Sequence, residues 1–179
     1  SDVRILIDMM KELGSIITFE NEVLTIDNSN VQNKKITEEY AGKLRASYYF
    51  MGSLIGKYHE AEIAYPGGCV IGSRPINYHI ESFKKMGINV KNVADHYIMK
   101  TDELKGNEFY FDFPSVGATI NIMLAAILAK GKTVIYNAAK EPEIANVASF
   151  LNSMGAKVFG AGTSTIEIIG VEELHDGFV

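Results

Sequence analysis

Residues 66 to 75 read PGGCVIGSRP, and Cys69 within them is the only cysteine among 179 residues. A thiol does acid–base or nucleophilic work when its environment favours the thiolate, and the residues around this one are of the types that do so. Gly67, Gly68 and Gly72 let the backbone come close to a ligand and turn its amide N–H groups towards it. Arg74 precedes Pro75, a favoured first residue of a helix, so a guanidinium and a helix N-terminus both lie near the sulfur in sequence. Both stabilise thiolate, and the same arrangement would hold a phosphate. A lone cysteine is otherwise most often a small buried hydrophobe, so two readings stand side by side at this point.

The elements that must carry this turn occur more than once. VRILIDMMKELG, INYHIESFKKMG and IANVASFLNSMG superpose without gaps and end at Gly14, Gly87 and Gly155. Their shared apolar positions are Val3, Ile76 and Ile144, then Met10, Phe83 and Leu151, then Leu13, Met86 and Met154. Those steps follow one face of a helix, and a glycine just past the end is a favoured C-cap. Each helix is followed by two short apolar stretches: SIITF and EVLTID, INVKNV and HYIMK, AKVFG and STIEII. These read as paired strands.

Upstream of the second and third copies, LRASYYFMGSLIGKYHEAEIAY corresponds to SVGATINIMLAAILAKGKTVIY, a helix running into a strand. Thr37 and Ser115 are candidate N-caps, and Gly131 fits a helix end. The expected fold is α/β, with repeated βαβαββ-type units packed as one domain over residues 1–179. The first unit opens on its second helix, so about 30 residues that the repeat calls for are missing. The expectation is a piece of a longer protein whose uncovered apolar surface around Val3, Leu6 and Met10 favours self-association.

Net charge is -5 and pI about 5.4, which excludes a broad basic surface for nucleic acid or anionic membrane. Any anionic ligand must be met locally. There is no apolar run long enough to cross a bilayer and no signal peptide, so a soluble cytoplasmic protein is expected. No clustering of His, Cys and carboxylates points to a metal, and no cofactor is expected.

PGGCVIGSRP, RASYYFMG, SVGATINIM, NAAKEPEI and FLNSMGAK, in this order and spacing, strongly resemble the UDP-N-acetylglucosamine 1-carboxyvinyltransferases, a family of enolpyruvyl transferases. The similarity runs along essentially the whole chain. It implies one domain of a two-domain "inside-out" α/β barrel, each domain built of three such units. It implies transfer of the enolpyruvyl group of phosphoenolpyruvate to the 3′-hydroxyl of UDP-N-acetylglucosamine, the opening of peptidoglycan precursor synthesis. Cys69 would be the general acid toward the enolpyruvyl methylene, able to form a covalent phospholactoyl adduct and to be alkylated by fosfomycin. Arg74 would contact phosphoenolpyruvate and the nucleotide sugar. Arg45, Pro75, Ile76, Asn77 and Tyr78 would bind the nucleotide sugar, with Phe113, Pro114, Ser115, Val116 and Gly117 forming the loop that receives the diphosphate.

Two positions depart from the family pattern: Asn77 stands where an aspartate is usual, and Phe113 where many members carry lysine. The resemblance also implies a lysine–asparagine pair upstream and groups from a C-terminal domain as partners in the reaction, so the chain by itself is expected to be inactive. The sister enzyme 5-enolpyruvylshikimate-3-phosphate synthase shares the architecture but lacks the loop cysteine. Among weaker candidates, Glu141 and Glu143 read as acids favourable at a helix start. His79 reads as a packed core histidine, and GAGTST at 160 to 165 as a hairpin turn rather than a phosphate loop.

Overall fold

A computed structural model describes residues 2–67 and 76–177 of the chain. Cys69, Arg74 and Pro75 lie outside the described residues.

The three superposable stretches form helices α1 (Asp2–Glu12), α4 (Asn77–Lys85) and α6 (Pro142–Ser153). Gly14, Gly87 and Gly155 all have positive φ. The amide after each glycine turns back to the same carbonyl of its helix: Ser15 to Met10, Ile88 to Phe83 and Ala156 to Leu151, at 2.9, 3.1 and 3.1 Å. This closure satisfies a carbonyl the helix would otherwise leave open and aims the chain into the following strand.

The strands are β1 (Ile16–Glu20), β2 (Val23–Asp27), β3 (Glu60–Ala64), β4 (Asn89–Val93), β5 (His96–Lys100), β6 (Glu108–Tyr110), β7 (Lys132–Tyr136), β8 (Lys157–Phe159) and β9 (Thr165–Ile169). They form three sheets, ordered β1-β2, β3-β5-β4 and β6-β7-β9-β8. All pairings are antiparallel except β6 with β7. Strand β6 has no counterpart among the sequence expectations, because three residues are too few to show a period. Its counterpart in the middle unit is a single parallel bridge between Ile36 and Ile63. With it, the order βαβαββ is complete in the second and third units.

In the two larger sheets the last strand of each unit, β5 or β9, lies in the middle, flanked by β3 or β7. Its counterpart β2 is an edge. The first unit accordingly leaves Val3 60% and Phe19 69% exposed, along with Leu6, Ile16, Val23, Leu24 and Ile26. At the positions equivalent to Val3, Ile76 and Ile144 are buried.

The middle of the molecule is helical. Helix α5 (Val116–Ala126) is buried continuously from Gly117 to Met123 and again at Ala125 and Ala126, so it is covered on every side, as an interior helix is, and is apolar but for Thr119 and Asn121. It packs on α3 (Tyr49–Tyr58), α4 and α6 and reaches β7 and β9. The helix expected over LRASYYFMGSLIGKYH is divided: Arg45–Tyr48 is a 3₁₀ turn, after a short α2 (Glu38–Ala41), and α3 begins at Tyr49.

Helices α3 and α5 meet at two glycines. A Cβ on Gly52 would lie 2.5 Å from the Asn121 carbonyl oxygen, and one on Gly56 would lie 2.9 Å from that of Leu124. Backbone cannot yield as a side-chain tip can. Alanine gains about 1 kcal/mol over glycine in a helix, whereas overpacking a core costs roughly 1–3 kcal/mol. The clash with main chain puts Gly52→Ala at the upper end. We expect a net loss of about 2 kcal/mol, read as a lower urea midpoint at unchanged slope; an unchanged or raised midpoint contradicts the close crossing.

Candidate active site

A cleft of about 900 Å³ opens where the 3₁₀ turn and the N-terminal ends of α4 and α5 converge. Seven of the residues expected to bind substrate line it: Arg45, Asn77, Tyr78, Phe113, Ser115, Val116 and Gly117. They come from three separated stretches of sequence. Ile76 precedes α4 as its N-cap residue and is buried in the core, so its side chain supports the wall from behind. Pro114 is exposed next to the lining residues.

Ser115 is the N-cap of α5: its Oγ accepts from the Ala118 amide at 3.3 Å. Ile76, the N-cap residue of α4, gives it no side-chain cap. The first-turn amides of both helices are groups with no partner inside the helix, and they carry the positive end of the helix dipole. Arg45 adds a full charge beside them, its guanidinium carbon 5.7 Å from the centre of the Tyr48 ring. Arg45 and the two helix starts thus put positive groups on one side of a cleft that Lys85, Glu81 and Asp112 also line.

The opposite wall is aromatic. Tyr78 stands 4.8 Å from Phe113, edge to face, and 5.3 Å from Phe111. Its hydroxyl donates to Asp112 at 3.2 Å, and burial together with that carboxylate raises the phenol above its ordinary value. Beyond it, Tyr110 stacks on Tyr136 with centroids 4.4 Å apart. A hydrogen bond to Glu108, with burial, pushes Tyr110 up to about 12. Such a wall offers ring faces and edges to a planar ligand.

The floor is made by Tyr48, His79 and Gly117. The rings of Tyr48 and His79 meet at 4.9 Å, and a Cβ on Gly117 would come within 2.8 Å of the Tyr48 hydroxyl and 3.0 Å of the imidazole. A larger residue at Gly117 would have to push the Tyr48 and His79 rings aside. His79 is the packed histidine the sequence suggests, only 5% exposed, yet it also lines the cleft. Burial, with Arg45 nearby, lowers its pKa from 6.5 to about 4.

Glu81, Ser82 and Lys85 also line the cleft and were missed in the sequence. They follow Asn77 and Tyr78 at helical spacing, so the α4 periodicity carried that signal. Tyr48, Tyr110, Phe111 and Asp112 had none, since only packing brings them to this wall. Glu141 and Glu143 lie at the start of α6, where Glu141 is the N-cap residue, and do not line the cleft. GAGTST is the turn between β8 and β9, closed by the Thr163 hydroxyl on the carbonyls of Gly160 and Thr165. Among the described residues no three His, Cys, Asp or Glu side chains converge as a metal site would require. No described helix is long and apolar enough to cross a membrane.

The sequence profile described as EPSP synthase (3-phosphoshikimate 1-carboxyvinyltransferase) matches residues 1–179. The chain belongs to this family of enolpyruvyl transferases. Family relatives include UDP-N-acetylglucosamine 1-carboxyvinyltransferase 2 of Listeria innocua, 50% identical over 175 residues, and that of Bacillus subtilis, 49% identical over 175. Each alignment covers 98% of this chain and 41% of the relative. The chain thus spans about two-fifths of the length of the curated relatives it matches. In solved structures the same α/β fold is found in the enolpyruvyl transferase NikO from Streptomyces tendae, at TM-score 0.81 and 18% identity, over 97% of this chain and 42% of that one. EPSP synthase from Acinetobacter baumannii matches at TM-score 0.73 and 15% identity, over 96% and 40%.

The depressed His79 value couples protonation to unfolding. Between pH 6.5 and about 4 the unfolded chain binds a proton that the folded chain refuses. The His79 contribution is therefore complete above pH 6.5, declines as pH falls, and is gone below the folded value. At about 1.4 kcal/mol per unit it amounts to roughly 3 kcal/mol. We expect the loss of stability from pH 7 to pH 4 to be smaller in His79→Gln by about that amount, measured by urea unfolding; parallel pH profiles would contradict it.

Proposed function

We propose that this chain is the nucleotide-sugar-binding part of an enolpyruvyl transferase acting on phosphoenolpyruvate and UDP-N-acetylglucosamine in peptidoglycan precursor synthesis, a cytoplasmic process. The observation that carries the reading is the convergence of the seven expected residues on one cleft, built from two helix N-termini and an arginine. The relatives that are 49–50% identical bear the UDP-N-acetylglucosamine name, whereas the solved EPSP synthases are 15–17% identical. Cys69 in PGGCVIGSRP points the same way by sequence.

In this reading Arg45 and the amides at the start of α5 hold the diphosphate. Tyr78 and Phe113 give the uracil a ring face and edge, and Asn77 pairs with the base through an amide that both donates and accepts. Phe113 supplies contact area where a lysine would supply charge, which leaves the anion more dependent on Arg45. Arg74 binds phosphate and Cys69 protonates the enolpyruvyl methylene, which makes the adjacent carbon electrophilic for the sugar hydroxyl. The fold is one domain of an inside-out barrel. Catalysis needs groups from the remaining three-fifths of the enzyme, and the 179-residue chain alone binds without turning over.

Calorimetric titration of UDP-N-acetylglucosamine into the chain tests the cleft. Loss of a hydrogen bond to a charged group costs about 1.5–3 kcal/mol, so Arg45→Ala should weaken binding by roughly tenfold or more. Binding that is unchanged in Arg45→Ala, or absent in the native chain, overturns the reading. Phosphate release from phosphoenolpyruvate should be undetectable in the same sample, and a rate typical of a full-length transferase would refute the need for the remaining part. Cys69 should be alkylated by iodoacetamide at pH 7 faster than an unstructured peptide thiol, and more slowly in Arg74→Ala as a nearby positive charge is lost. A thiol that reacts only in denaturant would return Cys69 to the class of buried cysteines.

A further inference from the structure

Asn121 is a polar side chain at the middle of the most deeply buried helix, and it is fully inaccessible. Its carboxamide makes three hydrogen bonds. Oδ1 accepts from the Gly52 amide at 2.9 Å, Nδ2 donates to the Tyr48 carbonyl at 3.0 Å, and Nδ2 lies 2.8 Å from His79 Nδ1. A main-chain N–H can only donate and a main-chain carbonyl can only accept, so the two backbone partners fix which end of the amide is which. Both hydrogens of Nδ2 are then directed, one to Tyr48 and one to the imidazole. His79 Nδ1 must accept, and the neutral ring must carry its proton on Nε2.

We propose that Asn121 is a positioning residue of the cleft, holding His79 in the Nε2–H tautomer so that the floor presents a neutral imidazole N–H donor to the ligand. With Nδ1 engaged by Asn121, Nε2 is the ring nitrogen that remains to serve the cleft, which His79 lines with Tyr48 and Gly117. Among the described residues, the groups acting on the ring are Arg45 and Tyr48 before α3 and Asn121 on α5. None of them is an anion that would draw a second proton onto it, and burial disfavours that proton as well. A neutral donor at this place hydrogen-bonds a phosphate or carbonyl oxygen without adding a charge that must be desolvated. The tautomer follows from the hydrogen bonds alone, while the nature of the ligand rests on the function proposed above, so the two are tested separately.

The test is nitrogen-15 NMR of the histidine side chains in the labelled 179-residue chain. Long-range proton–nitrogen spectra at pH 7 should show His79 with a bare Nδ1 and a protonated Nε2. The reverse pattern, or fast averaging of the two, overturns the proposal without any variant. In Asn121→Asp the carboxylate can only accept, so His79 should move its proton to Nδ1 and titrate at least about one unit higher, a tenfold gain in proton affinity. An unchanged tautomer and midpoint in a folded Asn121→Asp overturns it too. On addition of UDP-N-acetylglucosamine, a shift concentrated at Nε2 supports the donor role, and binding seen elsewhere in the spectrum with Nε2 unmoved overturns that role. A fixed Nε2–H tautomer with no ligand response anywhere overturns the nucleotide-sugar reading and leaves the Asn121 assignment standing.

Discussion

The close crossing of α3 and α5, sealed by Asn121, is the constraint on which the rest of the molecule depends. Gly52 and Gly56 remove the side chains that would hold the two helices apart, and the Asn121 amide reaches across the gap to the main chain on either side of the 3₁₀-to-α junction. Leaving a buried donor or acceptor without a partner costs about 1–3 kcal/mol. The Asn121 carboxamide and the buried imidazole of His79 would each bear such a cost without their partners. The same side chain holds α4 through His79, so one residue ties together the three elements that surround the cleft. Arg45, the start of α4 and the start of α5 are placed by that knot together with the contacts of Tyr48, His79 and Gly117.

This arrangement would let an acidic chain accept the anionic ligand proposed for it. The net charge of -5 would repel phosphate at long range, and screening confines that effect to about a Debye length of 10 Å at ordinary ionic strength. Within the cleft the local terms take over: two helix N-termini, a guanidinium and main-chain amides. Arg45 also presses on His79 and helps keep it uncharged. Beside the charged Arg45, Lys85, Glu81 and Asp112, the site thus adds dipoles and a neutral imidazole, whose burial costs far less than that of further cations. The aromatic wall of Tyr78, Phe111 and Phe113 completes it with surface suited to a flat, weakly hydrated group.

The first unit shows what the other two gain from their third strand. Its helix closes on Gly14 just as α4 and α6 close on Gly87 and Gly155, and its strands pair in register from Ile16 with Asp27 to Glu20 with Val23. Local sequence suffices for that much. Burial follows only in part: Met9, Leu13 and Ile17 are buried, while Val3, Leu6, Phe19 and the residues of β2 are left exposed. The exposure of Phe19 and Val3 measures the difference between a formed element and a packed one.

The sequence by itself determined whatever is local and periodic. The helix faces, the glycine closures, the paired strands, the Ser115 cap and the turn at GAGTST depend on residues within a few positions of each other. The shared order of three units made them legible without any partner in view. Family resemblance added the lining residues Arg45, Asn77, Tyr78 and Ser115. Tertiary structure alone decided that these lie around one cleft, that the helix after Leu44 begins as a 3₁₀ turn, and that Tyr48, Phe111 and Asp112 belong to the same site. Asn121 shows why. Ile120 and Ile122 on either side of it are apolar, its partners are 42, 69 and 73 positions away, and nothing in its own segment says that a carboxamide is needed. Only when two glycines bring α3 against α5 do a main-chain donor, a main-chain acceptor and an imidazole converge on one point. Hydrogen-bond chemistry then allows one amide orientation and one histidine tautomer there.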